Sequence, residues 1–193
     1  MRVLILHAHP DPASFSAALF RIAAQDLSAA GHQVDAVDLY AEAFDPVLSR
    51  AEWQGYVDVP ANRANVERDA ARVDWAEAIV MVFPVWNFGP PAILKGYLDR
   101  VFLPGVSFNL TGGRVSPGLR HIRRLVAITT YGSSWWWALL MGDAPRRLVC
   151  RVLRVLAHPR ARCHYLAYHR ISQSTEATRA AFVVRVQDTL RRL

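Results

Sequence analysis

The chain has 193 residues, 52% of them hydrophobic, and a formal net charge of +7. That length suits one domain able to bury a core, read here as residues 1–193. Its longest apolar runs, "VLIL" and "AIVMVF", fall far short of the roughly 20 residues that cross a bilayer, so no membrane span is expected.

The charge is unevenly spread. Residues 1–96 carry 7 basic and 12 acidic side chains and residues 97–193 carry 16 and 4, and of the 23 basic residues all but Lys95 are Arg. Arginine suits bidentate phosphate contacts, but no recognition-helix, zinc-finger or RNA-binding pattern accompanies it, which argues against a nucleic-acid partner. Cys150 and Cys163 lack metal-ligand spacing and are expected as two buried free thiols. The N-terminus "MRVLILHAHPD" has no long apolar region followed by a small-residue cleavage site, and a cytoplasmic location is expected.

In chain order, "RVLILHA" is a continuous aliphatic run, the pattern of a strand buried on both faces. "SFSAALFRIAAQDLSAAG" follows with helical apolar spacing, Ser14 as N-cap and Gly31 as stop. "HQVDAVDL" is a second strand, and a long connection then becomes helical from Val66 to Trp75. "EAIVMVFPVW" is a third strand, "PAILKGYLDRVF" a helix with Pro90 and Pro91 at its first turn, and "RRLVAITTYG" a fourth strand. "APRRLVCRVLRVLA" is a basic amphipathic helix, "ARCHYLAYH" a fifth strand, and "STEATRAAFVVRVQDTLRRL" a closing helix. Strands alternating with helices require parallel pairing and right-handed crossovers, hence a three-layer α/β sandwich, and among such sheets the strand order 2-1-3-4-5 is common and is expected here. In that order the ligand crevice lies at the carboxyl ends of strands 1 and 3. The loops that matter are therefore "HAHPDPAS", "PVWNFGPP" and "TTYGSSWWW".

Trp86, Asn87 and Phe88 are unusual in so short a connection. A flat redox heterocycle needs an apolar wall and backbone amides at its polar edge, which such a turn supplies. The N-terminus of the first helix, with N–H groups around Phe15 to Ala18 and the hydroxyls of Ser14 and Ser16, suits a phosphate. Neither GxGxxG nor a P-loop is present, which leaves a dinucleotide-binding Rossmann domain or an NTPase unsupported. His7 and His9 in "HAH" are read as a packed residue and a phosphate contact rather than as metal ligands, and no metal is expected.

The blocks "LHAHPDPASFSAAL", "FPVWNFGPPAILKGYLDRVF" and "ITTYG" are similar to the NAD(P)H:quinone oxidoreductase family, flavodoxin-like flavoproteins also called DT-diaphorases; the resemblance runs over about residues 1–143. It implies a two-electron reductase that takes hydride from NADH or NADPH onto a bound flavin, FAD with FMN as the alternative. A quinone or similar small molecule then receives it in a ping-pong scheme, usually in a homodimer. Carried over by position, His9, Ser14, Phe15 and Ser16 hold phosphate and ribityl chain. Pro84, Val85, Trp86, Asn87 and Phe88 contact the ring, and Thr129, Thr130, Tyr131 and Gly132 line its other polar edge. No side chain is assigned as catalytic, since flavin carries the chemistry; Tyr131, Trp135, Trp136 and Trp137 are the candidates for the acceptor pocket. Eukaryotic members place a charge-relaying Tyr and His after strand 4, where this chain reads "SSWWWALLMGD". Three consecutive tryptophans cannot face one way, so at least one is expected in the core or a dimer interface. Two other classes share the fold: a flavodoxin-type electron carrier, disfavoured by the basic charge, and a regulatory flavoprotein of a potassium efflux system. Exposed tryptophans and a basic helix would serve the latter for docking, and peripheral membrane contact is a further use for them.

Overall fold

The computed structural model describes residues 1–193. Its elements in order are β1 (Arg2–His7), α1 (Phe15–Ala29), β2 (Gln33–Asp38), α2 (Arg50–Gln54), α3 (Glu67–Trp75), β3 (Ala78–Val85) and α4 (Ala92–Val101). Next come β4 (Phe108–Thr111), β5 (Arg114–Pro117), β6 (Arg124–Tyr131), α5 (Trp135–Leu140), α6 (Ala144–Arg147), α7 (Arg154–Leu156), β7 (Arg162–Tyr168) and α8 (Glu176–Leu190). Between α6 and α7 the backbone stays helical through a π-helical segment, Leu148–Leu153, so residues 144–156 form one run.

Five strands pair in the order β2-β1-β3-β6-β7, every neighbour parallel. This is the expected 2-1-3-4-5 winding, renumbered because a small antiparallel hairpin, β4–β5, lies between the third and fourth strands of the sheet. Sequence reading missed that hairpin. Its signal was present in "TGGR", since Gly112 and Gly113 both adopt positive φ, the geometry of a two-residue hairpin turn.

Two cores explain the three layers. On one face of the sheet Leu4, Leu6, Ile79, Met81 and Phe83 pack with α3, α4 and the helical run around Val149 and Leu153. On the other, Val3, Ile5, Val80, Val82, Val126 and Ile128 pack with Leu19, Ala23 and Leu27 of α1 and Phe182, Val186 and Leu190 of α8. Successive side chains of one strand point to opposite faces, so β1 and β3 must be apolar throughout. That is why they read as unbroken runs.

The cysteines correct the expectation of free thiols. Cys150 and Cys163 form a disulfide, with Cα atoms 5.7 Å apart, that ties the π-helical segment to β7. Their 13-residue separation carries no recognisable spacing. Only the packing of the helical run back on β7 makes them neighbours. No helix is long and apolar enough to cross a membrane.

Candidate functional site

The register of the sheet sets where the site lies. His7 ends β1 opposite Val82, while β3 and β6 continue beside each other to the pairs Pro84–Thr130 and Val85–Tyr131. The turns leaving β1, β3 and β6 therefore rim one crevice, at the winding reversal of the sheet. A cavity of about 280 Å³ opens there, lined by His9, Ser14, Phe15, Ser16, Pro84, Val85, Trp86, Thr130, Gly132 and Ile171. Nine of these were singled out from sequence. Ile171, which follows β7, was not, because nothing in "YHRISQ" marks it.

The turn after β1 is built to present α1. Asp11 accepts the Ala13 N–H at 2.8 Å and Ser14 N–H bonds Asp11 O at 3.2 Å, which closes the loop before the helix. Ser14 is the N-cap, its Oγ accepting from Ala17 N–H at 3.1 Å, and Ala18 N–H bonds Ser14 O. The free donors are thus narrower than the expected stretch Phe15 to Ala18. Phe15 and Ser16 keep theirs, as the first residues of a helix must. Ser16 is buried, and its Oγ has no partner. An orphaned hydroxyl beside free amides at a helix N-terminus fits a phosphate oxygen. The Nδ1 of His9 accepts Asp11 N–H at 3.0 Å, so the ring proton of the neutral form sits on Nε2 and is available to an anion.

The turn after β3 differs in detail from its sequence reading. Trp86 and Gly89 exchange two backbone hydrogen bonds, at 3.0 and 2.9 Å, around Asn87 and Phe88, whose φ angles are 48° and 57°. It is a two-residue turn with both central residues, Asn87 and Phe88, left-handed. Asn tolerates that conformation; a bulky Phe is strained in it. Trp86 stays 44% exposed, with the His9 ring edge-on at 5.7 Å. Asn87 and Phe88 do not line the cavity.

Two residues of the β6 turn also depart from expectation. Thr129 is fully buried and its hydroxyl donates to Leu166 O at 3.3 Å, inside the sheet rather than in the cavity. The Tyr131 side chain is 1% exposed and turned away. Its hydroxyl lies 2.6 Å from both Asp143 Oδ1 and the Tyr165 hydroxyl, and its ring packs on His169 with centroids 4.6 Å apart. Burial and these partners push the Tyr131 phenol well above the usual tyrosine range, and burial chiefly pushes Tyr165 up to about 12, so neither ionises near neutral pH. Tyr131 is thereby corrected as a side chain lining an acceptor pocket.

Of the two places expected for at least one tryptophan, the core or a dimer interface, the core is not used. None is core: Trp135, Trp136 and Trp137 are 66%, 44% and 44% exposed on the short helix α5, and Trp136 stacks on Trp137 with centroids 4.7 Å apart. Ala138 is the buried residue of that helix. Small Ala seats the helix while the large rings stay outside, the reverse of what side-chain size alone suggests. His7, by contrast, is a packed residue, bonded to Asp38 through Nδ1 at 3.0 Å and stacked on Phe20 at 4.8 Å. Burial lowers its pKa despite Asp38.

The fold and this crevice define a class, and residues 1–138 match the model of one family, described as Flavodoxin-like fold. The chain belongs to that family. Among its relatives is the ribosyldihydronicotinamide dehydrogenase [quinone] of Mus musculus, 31% identical over an alignment of 149 positions that covers 69% of this chain and 64% of that one. The chain spans under two thirds of the length of the first curated relatives it matches. A crystal structure from Streptococcus mutans superposes over all of both chains with TM-score 0.87 at 28% identity. An FMN-dependent NADH-azoreductase from Bacillus anthracis, solved in complex with FMN, superposes over 100% of this chain and 99% of its own with TM-score 0.78 at 18% identity, a likeness of fold.

Proposed function

We propose that the protein is a flavin-dependent NAD(P)H oxidoreductase that reduces a quinone or similar acceptor by two electrons. What supports this is the convergence of three turns on one cavity that has a phosphate cradle at the α1 end and an indole wall at Trp86. The quinone-reductase relative and the FMN-binding fold neighbour point the same way. Flavin, when bound, accepts hydride from the reduced nucleotide and passes it to the acceptor.

The protein's own contributions are positional. Ser16 Oγ and the N–H groups of Phe15 and Ser16 hold the phosphate, and His9 Nε2–H donates to it from the facing loop. Trp86, Pro84 and Val85, which line the cavity, would supply the apolar wall for the ring. Backbone N–H groups of Tyr131 and Gly132 sit toward the other polar edge, where negative charge grows on reduction and fixed donors lower its energy. Holding two flat reactants face to face is most of what such a reaction asks of a protein. The Tyr131, Tyr165 and Asp143 hydrogen bonds tie the end of β6 to β7 and to the loop before α6. FAD is the assignment that the family resemblance supports, with FMN the alternative; the mass of the released flavin distinguishes them. A homodimer is proposed because α5 leaves six large apolar side chains between Trp135 and Met141 exposed on one short segment.

The purified protein should be yellow and oxidise NADPH or NADH with menadione, giving parallel double-reciprocal lines, since one group serves donor and acceptor in turn. Ser16→Asp sets a carboxylate where the phosphate lies and should yield flavin-free protein. A fully loaded Ser16→Asp variant, or wild-type protein with no flavin, counts against the proposal.

A further inference from the structure

A second cavity, of about 400 Å³, lies on the other side of the β6 turn. Trp135, Leu139, Arg146, Arg147, Arg151 and His169 are among its walls. The four arginines of the helical run beside it differ in what holds them. Arg146 is committed, its Nε 2.7 Å from Asp143 and its guanidinium over the Tyr165 ring at 4.5 Å. Arg154, outside the cavity, donates to the carbonyls of His158 and Pro159. Arg147 and Arg151, which do line the cavity, have neither an acidic partner nor a hydrogen bond. They stand one helical turn apart, where like charges repel. Here the two unpaired guanidiniums face the cavity, and Arg151 sits in the π-helical segment, a distortion that costs regular hydrogen bonding and recurs at functional sites. His169 Nδ1 is buried without a partner in the same wall. With Asp143 neutralising one of three arginines, the cavity is left with two positive charges beside an exposed indole and a leucine.

We propose that this cavity binds an adenosine phosphate, the far end of the pyridine nucleotide whose nicotinamide enters the first cavity; this rests on the reductase reading above. Arg147 and Arg151 hold the phosphate, as paired guanidiniums do best, and Trp135 and Leu139 cover the base. Tyr131 stands between the two cavities, its backbone continuing to Gly132 on one side and its ring on His169 at the other. The hydrogen-bonded Tyr131, Asp143 and Tyr165 cluster is then the partition that sets the two sites apart. The phosphate has two possible sources, the 2′-phosphate peculiar to NADPH and the pyrophosphate common to both nucleotides.

The test is calorimetric titration of the flavin-loaded protein with adenosine 2′,5′-bisphosphate and with ADP, for wild type, Arg147→Gln/Arg151→Gln and Arg160→Gln/Arg162→Gln. The last pair makes the same charge change on exposed arginines that do not line the cavity. At least one ligand should bind wild type and the control alike, and bind the cavity variant on the order of tenfold or more weakly. If the bisphosphate is the one affected, the site reads the 2′-phosphate, and the ratio of kcat/KM for NADPH over NADH should fall by a similar factor. If ADP is affected equally, the pyrophosphate is held and that ratio stays put. Binding that is absent from wild type, unchanged in the cavity variant, or weakened as much in the control overturns the proposal. So does loss of flavin from the cavity variant, since the arginines would then belong to the flavin's own site. A wild type that binds these probes through Arg147 and Arg151 but turns over neither nucleotide leaves the cavity in place and removes the reductase reading.

Discussion

At the scale of single residues, Phe88 in the turn after β3 and the packed His7 at the end of β1 each carry a local cost. Phe88 is held at φ 57°, a conformation that costs a non-glycine residue about 1 kcal/mol or more. Strain of that kind persists where the surrounding chain imposes it. Phe88→Gly removes the strain but loosens the turn that carries Trp86, so the melting temperature should hold or rise while flavin content falls through a less fixed indole wall, as read by thermal unfolding and absorbance on the same sample. Were Phe88 merely packing, the variant would lose stability and keep its flavin. His7 carries a second consequence. Its pKa lies below 6.5 in the folded chain because burial disfavours the charged ring, and burial acts the same way on His169. Between the folded value and 6.5 the unfolded chain binds more protons, so stability must fall as pH drops through that window. His7→Gln should flatten the decline in melting temperature between about pH 7.5 and pH 5.5; an unchanged slope would assign the acid sensitivity elsewhere.

At the scale of elements, two close approaches hold the outer layers. Gly96, in α4, lies so near Pro46 that a Cβ there would collide with the proline's carbonyl oxygen and Cα. Alanine is the better helix former by about 1 kcal/mol, yet the obstacle is backbone, which cannot swing aside as a side chain can. Gly96→Ala should therefore destabilise, by about 1 to 3 kcal/mol in urea unfolding, through displacement of the 39–49 connection. The Cys150–Cys163 bond acts differently. It closes a short loop, 13 residues in sequence separation, and restricts the unfolded chain by about 3 kcal/mol on the chain-entropy estimate. Reduction with dithiothreitol, or Cys163→Ser, should lower unfolding stability by up to that amount. Wild type that is insensitive to reductant would mean the thiols are not paired in solution.

For the whole molecule, the outstanding feature is α5. Trp135, Trp136, Trp137, Leu139, Leu140 and Met141 are all between 44% and 66% exposed, an apolar segment of a size that single chains rarely leave in water. A two-fold homodimer would cover at least part of it and wall the first cavity from the open side. Light scattering at micromolar concentration should give about twice 21.7 kDa, and Trp136→Ser/Leu140→Ser should shift the mass toward 21.7 kDa. A single-chain mass for the wild type would leave α5 as a surface for some other partner, the outcome favoured by the regulatory-flavoprotein reading.

What the sequence determined by itself was whatever depends on near neighbours in the chain. The doubly buried strands are legible in "VLIL" and "AIVMVF" because burial on both faces demands unbroken apolar runs. Alternation of element types then requires a parallel, doubly wound sheet; its common 2-1-3-4-5 order names the three turns at the switch point, and the family resemblance assigns the residues within them. So nine of the cavity's ten lining residues could be picked before any coordinates were known. Tertiary structure alone decided whatever pairs distant positions or chooses which way a side chain turns. No local pattern shows that Tyr131 points to Asp143 and Tyr165, that Ile171 reaches the first cavity, or that Cys150 meets Cys163. Nor does any pattern show that Ala138, and none of the tryptophans, seats α5. Each depends on how segments distant in the chain dock against the sheet, as the helical run from Ala144 to Leu156 does on β7 through Cys150 and Cys163. That docking is fixed by the shapes of many side chains packed at once, which hydrophobic periodicity does not record.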